Sequence, residues 1–152
     1  MTRGDVRELA LHLVYGREFT GEEPDQAVSA RLEKNYREKL SEDCPLYADR
    51  PSRGQLAYLD CVVTGVANRE AELSELIRKY AIGWNLSRIS RLARAAMKIA
   101  IFEAQYVESV PVNVAISEAV RLTKLYDGEE TAAFVNGILG SFARSLPAEE
   151  TV

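Results

Sequence analysis

The chain has 152 residues, of which 47% are hydrophobic and 28% charged, enough for a real core in one compact domain or two small subdomains. A net charge of −4 and a pI near 5.2 exclude a bulk-basic nucleic-acid binder but leave room for a local basic patch. No apolar run approaches the length of a membrane span, and the charged N-terminal stretch has no secretory cleavage site. Residues 1–82 carry 12 basic and 15 acidic side chains and residues 83–152 carry 7 and 8, so both halves are mildly acidic and any anionic ligand must be met locally. Two cysteines, Cys44 and Cys61, make neither a disulfide framework nor a metal cage. A cytoplasmic protein is expected.

In chain order, Val6, Leu9, Ala10, Leu13 and Val14 recur at helical spacing and predict an amphipathic first helix. Thr2 or Asp5 is its expected cap, and Gly16 or Gly21 its expected end. Pro24 opens a weaker second helix through Ala27, Val28, Leu32, Tyr36 and Leu40, and residues 41–52 (SEDCPLYADRPS) read as a loop. Helices follow over Gln55–Asn68 and Glu70–Tyr80; whether they are two helices or one kinked helix stays open. In WNLSRISRLARAAMKIAIFEAQYV, Asn85 or Ser87 is the expected N-cap, and Ile89, Leu92, Ala93, Ala96, Ala100 and Glu103 trace one side. Val110-Pro111 ends that helix and starts the next, and a last helix spans about Glu130 to Leu146. No stretch sustains strand alternation. The prediction is an all-α protein of about seven helices in two small packed bundles meeting near residue 82.

Within the last helix lies FVNGIL, Phe134 to Leu139. Asn-Gly between apolar residues is a hairpin signal, yet Phe134, Ile138 and Phe142 repeat at helical spacing. A mid-helix glycine costs roughly 1 kcal/mol relative to alanine. Two explanations stand side by side: Gly137 admits another helix closely, or Asn136 and Phe134 form a binding surface.

Little in the chain points to catalysis. His12 is the only histidine and has no visible partner; phosphate loops, metalloprotease motifs and nucleophile elbows are lacking. Glu103 and Glu118 are candidates for a carboxylate pair, but anchoring helix packing is the plainer role. More informative are Arg88, Arg91, Arg94 and Lys98, which on a continuous helix occupy an arc of roughly 120°. Such a face suits phosphates or an acidic partner, and equally a solvated surface. Arg3 and Arg7 form a second basic spot, with Tyr15 and Phe19 further along the first helix as stacking groups for unpaired bases.

These pieces resemble the NusB family of bacterial antitermination factors. The resemblance is carried by RELALHLVY (Arg7 to Tyr15), RLARAAMKIAIFEA (Arg91 to Ala104), VPVNVAISEAV (Val110 to Val120) and FVNGIL, in that order. It implies a helical protein that binds single-stranded boxA RNA together with NusE, a small-subunit ribosomal protein. The pair then joins the RNA polymerase antitermination complex at ribosomal RNA operons. It further implies no catalysis and no cofactor. Carried over by position, the RNA-contacting residues are Arg3, Arg7, Tyr15, Glu130 and Phe134, joined by Arg94 and Lys98 from the basic face. Arg88 and Arg91 are left for the partner protein. Gly4 and Asp5 interrupt what is often a dense N-terminal arginine cluster, which predicts weak RNA affinity for the protein alone. Ser117 stands where the family usually has Asn. Two other readings remain: an accessory domain of the kind carried by RNA cytosine-5 methyltransferases, against which the lack of methyltransferase sequence after the last helix speaks, and a homodimer through exposed helix faces.

Overall fold

The computed structural model describes residues 1–147. Among them eight α-helices and two short 3₁₀ turns account for the regular structure, with no strand. The chain divides into two compact units, Met1–Arg69 and Glu70 onward. The division falls after Arg69 and not near residue 82, because the helix from Glu70 packs with the helices that follow it.

In the first unit, α1 (Arg3–Thr20) begins with a capping box. Thr2 Oγ1 accepts from the Asp5 amide at 3.0 Å, and Asp5 Oδ2 accepts from the Thr2 amide at 3.0 Å. Both expected caps therefore act at once, and Asp5 also places its charge at the positive end of the helix. Gly21, in the left-handed region at φ 67°, closes the helix by donating to Arg17 O. The predicted stripe of Val6, Leu9, Ala10, Leu13 and Val14 is buried.

The single weak second helix is in fact two, α2 (Pro24–Leu32) and α3 (Lys34–Ser41). Glu33 turns extended between them, and its carboxylate accepts from the Asn35 and Tyr36 amides, which also lowers its pKa. The expected loop at 41–52 contains a 3₁₀ turn, Pro45–Ala48, that drives Tyr47 into the core. The Tyr47 hydroxyl lies 2.7 Å from His12 Nδ1 and accepts from Arg31 Nη1 at 3.0 Å. Arg37 Nη1 holds the Tyr47 and Ala48 carbonyls. Helix α4 (Arg53–Asn68), capped by Ser52 and Gln55, receives α1 and α2. Gln55 Nε2 also donates to Met1 O at 2.6 Å, fixing the chain start.

Arg69 breaks the helical path at φ −119°, so the open question resolves as two helices. The second unit comprises α5 (Glu70–Tyr80), α6 (Arg91–Tyr106), α7 (Val112–Asp127) and α8 (Glu129–Ser145). Helix α6 is its axis: Ala93, Ala95, Ala96, Met97, Ile99, Ala100, Ile101 and Phe102 are all buried. Alanines on most of its sides allow α5, α7 and α8 each to pack against it. No helix among the described residues is long and apolar enough to cross a membrane.

Candidate nucleic-acid interface

The first group of predicted contacts lies on α1. Arg3, Arg7, Leu11, Tyr15 and Phe19 are successive members of one i, i+4 ridge. Leu11 at its centre is fully buried, so the ridge has a basic end and an aromatic end. Arg3 is exposed and Arg7 half-buried. At the other end Tyr15 meets Phe19 edge to face, with centroids 5.1 Å apart, and Phe19 is 60% exposed. His12, on the same helix, faces inward. Burial holds its pKa below the ordinary value, and Arg31 adds to this while Glu8 opposes it.

The basic arc expected on α6 does not form. Asn85 caps a 3₁₀ turn, Leu86–Arg88, and Ile89 is extended. Ser90 is the true cap of α6, its Oγ accepting from the Ala93 amide at 3.0 Å and donating to Asp127. Arg88 therefore lies outside the helix. Lys98 is 6% exposed and paired with Glu70 on α5. Arg94 turns back along the chain, its Nη2 donating to Leu86 O at 2.6 Å. A charged side chain is buried only when paired or hydrogen-bonded, and here two of the four cations meet that condition inside the unit. Arg88 and Arg91 keep exposed positions.

The carboxylate candidates also have tasks in packing. Glu118 holds Arg121 one turn on at 2.8 Å, and Glu103 is 1% exposed on α6.

On α8, Glu130 is exposed and Phe134, one turn later, is half-buried. Phe134 meets the indole of Trp84 edge to face, with centroids 4.9 Å apart and planes at 73°. Gly137 lies beneath the same indole: a Cβ there would come within 2.8 Å of Trp84 Cζ2. The glycine thus admits an indole, where a neighbouring helix was the expected occupant. Asn136 is exposed. Local pattern assigns Trp84 no role; the available signal is a lone tryptophan following Gly83, between two helices, and it does not say what the ring touches.

Among the described residues no cluster of His, Cys, Asp and Glu is arranged to hold a metal ion. The arrangement offers cations and part-exposed aromatic rings, the means of binding phosphates and unpaired bases.

Known proteins match this chain along most of its length. The model of the NusB family matches residues 5–144. The transcription antitermination protein NusB of Symbiobacterium thermophilum is 35% identical over 146 residues, covering 96% of this chain and 92% of that protein. The protein of the same name from Acetivibrio thermocellus is 36% identical, covering 95% and 90%. Among solved structures, T. maritima NusB superposes with a TM-score of 0.78 at 23% identity, covering 99% of this chain and 96% of that one. A structure of the antitermination factors NusB and NusE in complex with dsRNA gives 0.72 at 19% identity, covering 95% and 97%. Matched along nearly its whole length in both sequence and helical fold, the chain belongs to the NusB family.

Proposed function

We propose that this chain is a transcription antitermination factor that binds RNA together with a NusE-type ribosomal protein and acts within the RNA polymerase complex at ribosomal RNA operons. The observation that carries the reading is near-full-length similarity, at 35–36% identity, to proteins named for transcription antitermination. The RNA-binding residues are Arg3 and Arg7 for phosphates, Tyr15 and Phe134 for bases, and Glu130 as an acceptor beside Phe134. Arg88 and Arg91 face the partner protein. Arg94 and Lys98 leave the RNA set, because the first braces a loop and the second is buried against Glu70. The protein works by binding, without catalysis, in the cytoplasm.

With Gly4 and Asp5 interrupting the N-terminal cluster and only Arg3 and Arg7 left of it, the chain binds RNA weakly alone, and the partner supplies much of the affinity. Every phosphate left without a cation flattens the salt dependence by about one ion. The test is fluorescence anisotropy of a labelled boxA-type RNA, titrated with this protein alone and with NusE, at two salt concentrations. Sequence-specific binding strengthened by NusE is expected. No binding even with NusE overturns the reading, and steep salt dependence with nanomolar affinity of the protein alone overturns the division of labour.

A further inference from the structure

Trp84 is the only tryptophan in the chain, and the described fold neither buries it nor leaves it loose. It is 38% exposed, yet three separate features hold it. The first is Gly137, where a Cβ would meet Cζ2, Cε2 and Cη2 of the indole at 2.8, 3.5 and 3.6 Å. The six-membered edge of the ring therefore rests on the backbone of α8, and an alanine at this helical position, which would otherwise favour it, would have to displace the indole. The second is Phe134, one turn earlier, which meets the indole in the edge-to-face geometry that aromatic pairs prefer.

The third is the loop itself. The Trp84 amide donates to Ala81 O at 2.9 Å, after Gly83 has turned the chain at φ 85°. Asn85 Oδ1 accepts from both the amide and the hydroxyl of Ser87. Arg94 reaches back from α6 to the Leu86 carbonyl, and in doing so leaves its Nε buried without a hydrogen-bond partner. Several side chains thus fix a loop whose one large apolar group stays part-open to solvent.

A fixed aromatic with an open surface loses little entropy when a flat ligand stacks on it. Every base has a π-face, so stacking needs no particular sequence, and unpaired bases are the ones with faces to offer. We propose that Trp84 is a base-stacking residue of the RNA surface, forming with Phe134 one two-ring platform for an unpaired base. Gly137 and Arg94 are its positioning residues. This inference rests on the RNA-binding function proposed above and adds to it a contact residue and the way that residue is held.

Because the chain has one tryptophan, its emission reads the platform directly. The experiment titrates boxA-type RNA into the intact protein with its NusE partner, following RNA anisotropy and indole emission together; NusE emission is subtracted using the same titration of Trp84→Phe. Stacking quenches the indole in step with binding. Trp84→Ala lowers affinity by about 5- to 150-fold, the worth of one stacked base, while Trp84→Phe keeps most of it. Arg94→Met and Gly137→Ala both shift the emission maximum of Trp84 and weaken RNA binding, with helical circular dichroism retained. If RNA binds but the indole is unquenched and Trp84→Ala binds normally, the inference is overturned and the function stands. If the partner protein alone quenches the indole and RNA adds nothing, the platform is a protein contact and the inference is again overturned. Absence of RNA binding in the unaltered protein overturns the function and the inference with it.

Discussion

The cations of α1 and those around α6 look equivalent as sequence and meet different surroundings. Arg3 stays exposed behind a capping box that keeps the helix start in register. Around α6, Lys98 is buried against Glu70, Arg94 braces the Trp84 loop, and Arg88 falls outside the helix. What separates the two regions is surroundings, not composition. Arg3 stands exposed at the first residue of α1, whereas α6 is enclosed by three helices, and a cation in that setting must find a partner or a carbonyl. Counting positive charges therefore overstates the exposed basic surface of the second unit.

The comparison breaks most readily at the Lys98–Glu70 pair. Glu70→Ala removes one carboxylate from a buried ammonium and should cost about 1–3 kcal/mol of stability, read as a lower urea midpoint at unchanged slope. Lys98→Met should cost less, because Glu70 regains water, and should leave RNA affinity within about twofold. A large loss of affinity at unchanged stability would return Lys98 to the RNA surface. Next in size, Thr2→Ala removes one half of the α1 capping box and should cost about 1 kcal/mol, measured by thermal melting. If that variant also loses RNA affinity beyond its loss of folded protein, the cap is positioning Arg3 and Arg7.

His12 sharpens the contrast from inside α1. Its folded pKa lies below the ordinary 6.5, so below that pH the unfolded chain takes up a proton that the folded chain resists. Stability should therefore be level above about pH 6.5 and fall as the pH drops toward the lowered folded value. His12→Gln should flatten that decline, and an unchanged pH profile would mean that burial, with Arg31 beside it, does not hold the ring neutral. The smallest effect on stability belongs to Arg3→Gln. It should leave the melting temperature unaltered while reducing the salt slope of RNA binding by about 0.7. An unchanged slope would remove Arg3 from the phosphate contacts.

Much of this molecule is legible in one dimension because helices are local. The stripe of Val6, Leu9, Ala10, Leu13 and Val14, the caps at Thr2 and Asp5, the break at Val110-Pro111 and the helical placement of FVNGIL all follow from spacing within a few residues. The division of the second helix at Glu33 was not legible, since it depends on a side chain folding back onto its own backbone. Nor was the buried Tyr47, which sits in a polar stretch and owes its place to His12 and Arg31 elsewhere in the chain.

The same boundary runs through the candidate site. Sequence alone determined that the chain is all-helical, that Arg3, Arg7 and Tyr15 share one helix, and that Gly137 departs from helical preference for a reason. Tertiary structure decided the reason: an indole from a distant loop occupies the space a Cβ would need. It also decided which cations remain outside. Helical periodicity fixes which residues share a face, because each hydrogen bond spans four residues. What that face meets depends on segments tens of residues away, and nothing in the local pattern records their arrival.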